Sequence, residues 1–412
     1  MVKRLFYIFL LLAPFTSFFA ISPWLRLPVV VNIVLLLITL VSFLKVKKIK
    51  LKGVKKEDLY LIVFLVIVWV SFLLGFREKR SFNHSLAYTY AILLYFFLVK
   101  SIIQFYKISS IKIARPIYVS FLICSGIIMI DFVGKNFFGI SFRQVFSTAD
   151  GMISNMDYYI RAGLYRVGGV AEEPGSMALF YNVYFGIAMY YLHQKEKTFM
   201  YKWLLFIFIV CHFMMFSNAG IALFLIAGIL VFTFNRLKRL TITKKQLNLI
   251  LYGTIMIVLS FIVVLVFDAG NLKTSLNDFL NKILFSESHM SYSSSGQRLK
   301  QWYRAIMNFV KHPILGNGPG YGVDEDAEGY LSMYLTFLSD VGLVAFVFFI
   351  GFQETIVKKV LSLPEKVRSF LLFSIITSFL HLIIVSDFYH APFWILLAFI
   401  QLVYTEHKEE RV

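Results

Sequence analysis

The chain has 412 residues, of which 59% are hydrophobic and only 16% are charged, and 45 of them are Phe. This composition lies far outside that of soluble globular domains and indicates a polytopic membrane protein. The formal net charge of +18 then reflects membrane topology and contact with anionic lipid. Nucleic-acid binding is excluded as an explanation, because the chain has no soluble basic domain.

Apolar runs of about 17 to 22 residues predict about twelve transmembrane helices and therefore an all-α fold. The predicted centres in chain order are Leu12, Leu37, Val66, Leu94, Leu122, Val183, Phe206, Leu225, Met256, Val341, Ile376 and Ala398. The segments between the runs alternate in charge. Placing residues 1–4 inside puts most of the 41 Lys and Arg residues on the inner side, so we expect both termini in the cytoplasm.

Two of the predicted external loops are long, and they divide the chain into five parts. Loops of this length are usually functional or disordered, and basic residues within them run against the topological trend. The parts are helices 1–5 in 1–133, the first loop in 134–175, helices 6–9 in 176–268, the second loop in 269–328, and helices 10–12 with a cytoplasmic tail in 329–412.

The first loop ends in RAGLYRVGGVAEEPGS, a polar cluster directly before an apolar run. Its glycines allow close backbone approach, and Pro174 fits the first turn of the next helix, where its missing N–H costs nothing. Glu172 and Glu173 would then lie near the positive end of the helix dipole, beside Arg161 and Arg166. The alternative is a helix-entry turn with a capping glutamate and arginines that extend to the membrane surface.

The second loop contains QRLKQWYRAIMNFVKHPILGNGPGYG. The sequence pattern predicts a helix from Arg298 to Val310, with Arg298, Trp302 and Ala305 on one face. A turn-rich segment follows it. Guanidinium groups suit a diphosphate, because their planar fork engages two oxygens and never loses its charge. We therefore expect this loop to recognise an anion.

The helix carrying R…W…A, the segment HPILGNGPGYG and the following YLTFLSDVGL together resemble the bacterial O-antigen ligase and polymerase (Wzy-type) family. RVGGVAEEP before a span is similar to the other external-loop motif of that family. The resemblance implies a membrane glycosyltransferase of the C-type fold in the bacterial inner membrane. It also implies a polyprenyl-diphosphate-linked glycan as donor, a second glycan as acceptor, and no cofactor or obligatory metal.

Two departures from the ligase pattern favour a polymerase over a ligase. Ligases carry a His-Asn pair about nine residues before the acidic residue of the last motif, and here Leu331 and Ser332 precede Asp340 at that distance. A Ser-Arg pair of the family is matched only by Ser217 and Asn218.

The predicted site follows from the chemistry that the resemblance implies. A diphosphate leaving an anomeric carbon needs cationic stabilisation, for which we expect Arg166 and Arg298, supported by Arg161 and Arg304. The attacking hydroxyl loses a proton, and Glu173, then Glu172, is the expected general base. Other residues expected at the substrate are Trp302, His312, Gly316, Gly318 and Tyr321.

Three other functions remain as alternatives. A ligase would transfer the glycan to a separate lipid or protein acceptor. A flippase for lipid-linked glycans would place charged residues along the middle of several spans, whereas the polar chemistry here is concentrated in external loops. A receptor is the third. A chain-length regulator and a flippase are expected as protein partners of a polymerase, in addition to membrane lipid.

Overall fold

The computed structural model describes residues 1–22, 25–45, 55–75, 77–140, 160–161, 163–237, 294–322, 329–386 and 388–410. These residues form an all-α polytopic membrane protein, as the composition predicts. The helices are α1 (Val2–Leu12), α2 (Leu27–Leu44), α3 (Lys56–Leu74), α4 (Lys79–Tyr90), a π-helical turn (Ala91–Phe97), α5 (Leu98–Phe105), α6 (Ser110–Phe138), α7 (Pro174–Gln194), α8 (Phe199–Met215), α9 (Asn218–Leu237), α10 (Ser294–Lys311), α11 (Met333–Leu361), α12 (Glu365–Ile384) and α13 (Ala391–Glu409).

Seven helical segments of the described residues are long and apolar enough to cross a membrane, and α8 is a shorter apolar helix. Eleven of the predicted centres fall within a helix, and the twelfth, near Met256, lies outside the described residues. The first predicted span, centred at Leu12, needs a correction, because α1 ends at Leu12 and Phe15–Ala20 continue as a non-helical segment that is buried except at the exposed Phe19. An apolar run alone does not distinguish a spanning helix from a shorter helix followed by a buried loop.

The most buried helices are α7 and α13, which lie at the centre of the bundle. From Met177 to Ala188 every residue of α7 is buried, and the same holds for Ala391 to Gln401 of α13. A helix that is apolar on all sides must be surrounded by other helices. Accordingly, α7 packs against α6 and α12, while α11 packs against α3 and α10.

The ends of the helices form two opposite rims. One rim, called the loop rim here, contains residues 13–22, 163–173, 312–322, 385–386 and 388–390. The other, called the charged rim, contains Lys55, Lys100, Lys359 and Glu406. Both termini lie at the charged rim, because Lys3 lies 5.7 Å from the ring centroid of Tyr106 and Glu406 accepts a hydrogen bond from the Ser110 N–H at 2.9 Å.

Candidate functional site

Arg166 follows a two-stranded hairpin that is fastened to the end of α6. Strands β1 (Ile160–Arg161) and β2 (Leu164–Tyr165) pair antiparallel. The Asn136 side chain accepts a hydrogen bond from the Tyr165 N–H at 2.6 Å and donates one to the Tyr165 carbonyl at 3.1 Å. This amide therefore pairs with β2 as a neighbouring strand would. It fixes the position of the backbone that leads into Arg166. Arg166 itself is half-buried.

The residues after Arg166 are packed into the bundle. The Ser17 hydroxyl donates to the Val170 carbonyl at 3.0 Å, and the Ser17 N–H donates to the same oxygen at 3.1 Å. Gly169 has φ 54°, and a Cβ there would lie 2.9 Å from Cγ1 of Ile128. The predicted close approach of the backbone is thereby confirmed at this glycine.

Helix α7 begins as predicted, with Pro174 at its first turn. Glu173 occupies the N-cap position, is exposed, and makes no side-chain capping hydrogen bond. Glu172 forms an ion pair with Arg26 from the segment before α2. The two carboxylates at the start of α7 therefore differ in environment, with Glu172 half-buried and paired to Arg26, and Glu173 exposed.

Helix α10 confirms the helix predicted from Arg298 to Val310. The Arg298 guanidinium donates to the carbonyl of Ile384 at the end of α12. Arg304 donates to the Gly322 carbonyl at 2.7 Å and lies 5.3 Å from the ring centroid of Tyr330. Burial, together with the nearby Asp340, raises the pKa of Tyr330, so its phenol stays neutral under the guanidinium.

The segment after α10 docks onto a break in α11. Gly342 has φ 79° and ψ 178°, which interrupts the helix and leaves backbone groups without helical partners. The Gly318 N–H donates to the Asp340 carbonyl at 2.8 Å, and the Leu343 N–H donates to the Pro313 carbonyl at 2.8 Å. The glycine-rich loop thus supplies the hydrogen bonds that the broken helix lacks.

Close packing at this docking requires glycine. Gly316 has φ 73°, and a Cβ there would lie 2.4 Å from the Asp340 carbonyl. A Cβ on Gly342 would lie 2.3 Å from the Ile314 oxygen. The Asn317 side chain adds hydrogen bonds to the carbonyls of Asn308 and Ser339, at 2.8 and 2.9 Å.

His312 and Tyr321 belong to this docked loop, and Trp302 lies in α10, which precedes it. His312 is exposed and its carbonyl accepts the Gly316 N–H at 2.9 Å, while Trp302 and Tyr321 are half-buried. Direct contact of these residues, and of Gly316 and Gly318, with a substrate stays a prediction. Arg161 lies in β1, and its side chain is outside the described part of the chain.

Asp340 lies below the glycine-rich loop and is 1% exposed. One carboxylate oxygen accepts the Gly320 N–H at 2.8 Å, and its backbone carbonyl accepts the Ser71 hydroxyl at 2.9 Å. The positive charge of Arg80 acts on this carboxylate. The acidic residue of the last motif therefore connects α3, α4 and the loop.

A second group of residues at the loop rim is not among the predicted site residues. Nδ1 of His84 lies 2.7 Å from the Tyr389 hydroxyl, and a Cβ on Gly320 would lie 2.6 Å from the His84 ring. Next to His84 is a pocket of about 380 Å³ lined by Glu78, Lys79, Arg80, Asn83 and His84. The sequence signal is REKRSFNH, a polar cluster at the start of a predicted span.

The predicted residues reach the loop rim from separate elements. Arg166 and Glu172 are placed by α6, α7 and the segment before α2, whereas Arg298 and Arg304 come from α10. The end of α12 and the start of α13 contact both groups, because the Ile384 carbonyl accepts from Arg298 of α10, and His390 packs edge-on against Phe180 of α7 at 5.0 Å. Among the described residues, no group of three or more His, Cys, Asp or Glu could hold a metal ion.

The loop-rim geometry can be compared with known families. Residues 203–350 match the family model described as O-antigen ligase. The matched stretch includes Arg298, the docked glycine-rich loop and the break at Gly342. The resemblance to the O-antigen ligase and polymerase family is thereby confirmed, and it indicates a membrane glycosyltransferase of that type. Comparison with curated proteins gives no match.

Proposed function

We propose that the protein is a polysaccharide polymerase that joins undecaprenyl-diphosphate-linked oligosaccharide repeat units. The products would be O-antigen, capsule or exopolysaccharide, made at the external face of the bacterial inner membrane with both protein termini in the cytoplasm. The O-antigen ligase match and the arginines placed at one rim of the bundle support this proposal. Partners are the lipid-linked donor and acceptor, membrane lipid, a chain-length regulator and a flippase.

The choice of polymerase over ligase rests on the two departures from the ligase pattern, at Ser217 and Asn218 and at Leu331 and Ser332. The structure describes the surroundings of Leu331 and Ser332 in detail. Leu331 and Ser332 stand where the ligases carry a His-Asn pair. Leu331 has φ 52°, and the Ser332 hydroxyl accepts the Leu335 N–H as the N-cap of α11. Ser332 therefore serves as a helix cap. The ligase histidine has no equivalent at that position.

In the proposed reaction, the acceptor sugar hydroxyl attacks the anomeric carbon of the donor, and the bond from that carbon to the diphosphate oxygen breaks. Arg166 and Arg298 stabilise the charge that develops on the departing diphosphate, with Arg161 and Arg304 in support. Glu173 accepts the hydroxyl proton. Trp302, His312, Gly316, Gly318 and Tyr321 border the glycan.

The test is a reaction of the purified protein in detergent with lipid-diphosphate-linked repeat units as the only substrate, followed by gel electrophoresis. We expect a ladder of products without any added acceptor. Transfer only after a separate lipid or protein acceptor is added would identify a ligase. Inactivity in both reactions, together with movement of donor across vesicles, would identify a flippase.

A further inference from the structure

The pocket beside α4 has no role in the chemistry assigned to the arginines. Its lining comes from Glu78, just before α4, and from residues in the first two turns of that helix. Its volume of about 380 Å³ is within the range of small-molecule sites. A transferase that joins two glycans needs a place for the acceptor as well as for the diphosphate, so this pocket is a candidate for the acceptor.

The walls of the pocket are held by other elements of the loop rim. The His84 ring is fixed between the Tyr389 hydroxyl, 2.7 Å from Nδ1, and the backbone of Gly320. Burial raises the pKa of Tyr389, so this partner of the imidazole stays a neutral phenol. A ring held on two sides presents its remaining edge in one orientation, which lowers the entropic cost of binding a ligand.

The pocket lies close to the predicted diphosphate residues. Arg298 donates to the Ile384 carbonyl, and Tyr389 follows Ile384 by five residues. Five residues of extended chain span at most roughly 18 Å. The backbone of Ile384, which binds Arg298, therefore lies within that distance of the backbone of Tyr389, which binds His84. Phe180, which contacts His390, is six residues beyond Pro174, or about 9 Å along α7 from the end that carries Glu173.

The mixture of groups in the lining favours a polyhydroxyl ligand over a diphosphate. Asn83 and His84 supply neutral donors and acceptors, while Glu78 supplies a carboxylate next to the cations Lys79 and Arg80. A carboxylate repels a diphosphate but accepts hydrogen bonds from sugar hydroxyls. The positive charge of Arg80 also acts on the buried Asp340 side chain, so this cation is shared between the pocket and α11.

We propose that the pocket formed by Glu78, Lys79, Arg80, Asn83 and His84 binds the acceptor glycan through its sugar hydroxyls. This inference rests on the proposed function and adds to it the place of the second substrate. It separates the two substrates spatially, with the diphosphate held by arginines of the two long loops and the acceptor sugar held at the start of α4.

The test measures binding of a glycan without its diphosphate. The probe is the oligosaccharide released by mild acid from lipid-linked repeat units of the host, added to the full-length protein in detergent and followed by saturation-transfer NMR. We expect the double variant Asn83→Ala/His84→Ala to bind it about tenfold more weakly, from the loss of two or more hydrogen bonds. Binding of the intact lipid-linked donor should change less, because the diphosphate contacts remain.

The matched control is His193→Ala, because His193 makes the same type of contact, 3.1 Å from Nδ1 to the Tyr201 hydroxyl, at the opposite rim. This variant should bind the released glycan as the wild type does.

Unchanged glycan binding in Asn83→Ala/His84→Ala would overturn the inference, as would displacement of the glycan by inorganic pyrophosphate. The single variant Asn83→Ala, which leaves the His84 contacts intact, guards against misfolding and should weaken binding about threefold. Binding needs no turnover, so a negative polymerisation assay on the same samples would reject the proposed function separately.

Discussion

Asn136 shows how one side chain places a predicted site residue. Its amide bonds to both backbone groups of Tyr165, and it also donates to the Phe132 carbonyl within its own helix at 3.0 Å. Arg166 is therefore connected to the rigid end of α6 although it lies in a loop. In the proposed reaction, the fixed backbone before Arg166 would limit how far its side chain must be ordered to meet the diphosphate.

At the residue scale, Arg166→Ala and Arg298→Ala should each lower the polymerisation rate at least about 100-fold, because a preorganised cation no longer meets the departing diphosphate. Protein abundance should not change. The measurement is the gel ladder formed by purified variants at equal concentration. Arg236→Ala is the control, since Arg236 packs over Phe232 at 5.2 Å in the last turn of α9, near the charged rim. Polymer of normal length and yield in both test variants would reject the diphosphate assignment.

Glu173→Gln tests the general base separately from helix capping. Glu173 is exposed and makes no capping hydrogen bond with its side chain, so the neutral amide should leave α7 intact. We expect transfer to slow about 100-fold while donor binding is retained, because a neutral amide cannot accept the proton of the attacking hydroxyl. Single-turnover rates and donor affinity give the two quantities. An equal loss of both would show that the carboxylate supports the structure.

At the element scale, the break in α11 and the glycine-rich loop are one unit. Neither is complete alone, because the loop has no secondary structure of its own and the helix lacks hydrogen bonds at Gly342. Sequence patterns predict each part: HPILGNGPGYG predicts turns, and the apolar run predicts a span. Their mutual docking depends on Asp340 and Gly316 meeting, 24 residues apart in sequence.

Gly316→Ala should disrupt this unit. The added Cβ would meet the Asp340 backbone at 2.4 Å, where neither partner is a flexible side chain, and the residue would keep an unfavourable φ of 73°. We expect a loss of roughly 2–4 kcal/mol in the free energy of unfolding, together with loss of polymerisation. Thermal unfolding in detergent provides the measurement.

The control for that change is Gly126→Ala in α6, where a new Cβ meets nothing within 4 Å. Alanine in an open helical position should leave the unfolding temperature unchanged or slightly higher. A Gly316→Ala protein as stable and active as Gly126→Ala would mean that the loop does not need its close contact with α11.

At the scale of the whole molecule, the charged rim joins helices from distant parts of the chain. Lys359 of α11 pairs with Glu57 of α3 at 2.5 Å, and Lys100 of α5 pairs with Asp58. Burial, with the nearby charges of Lys100 and Lys359, lowers the pKa of Lys55. The sequence predicts these lysines only as topology signals, whereas in the fold several of them connect helices.

Glu57→Gln should destabilise this rim, because it leaves Lys359 without its partner at a side-chain exposure of 13%. Removing one member of such a pair costs about 3 kcal/mol. The same helix offers a control, since Lys358 pairs with Glu354 at side-chain exposures of 70% and 61%. Glu354→Gln should have no measurable effect on the unfolding temperature. Equal shifts for the two variants would contradict a structural role for the buried pair.

The sequence by itself determined that the chain is a helical membrane protein, where most helices lie, and that Pro174 begins α7, because these follow from apolar runs and local backbone chemistry. It also marked the two loops with the family motifs. Only the tertiary structure decided that His84 meets Tyr389, that Gly320 lies on His84, and that Glu172 is engaged by Arg26. These contacts join residues far apart in the chain, and their partners depend on how the helices pack, which no local pattern encodes.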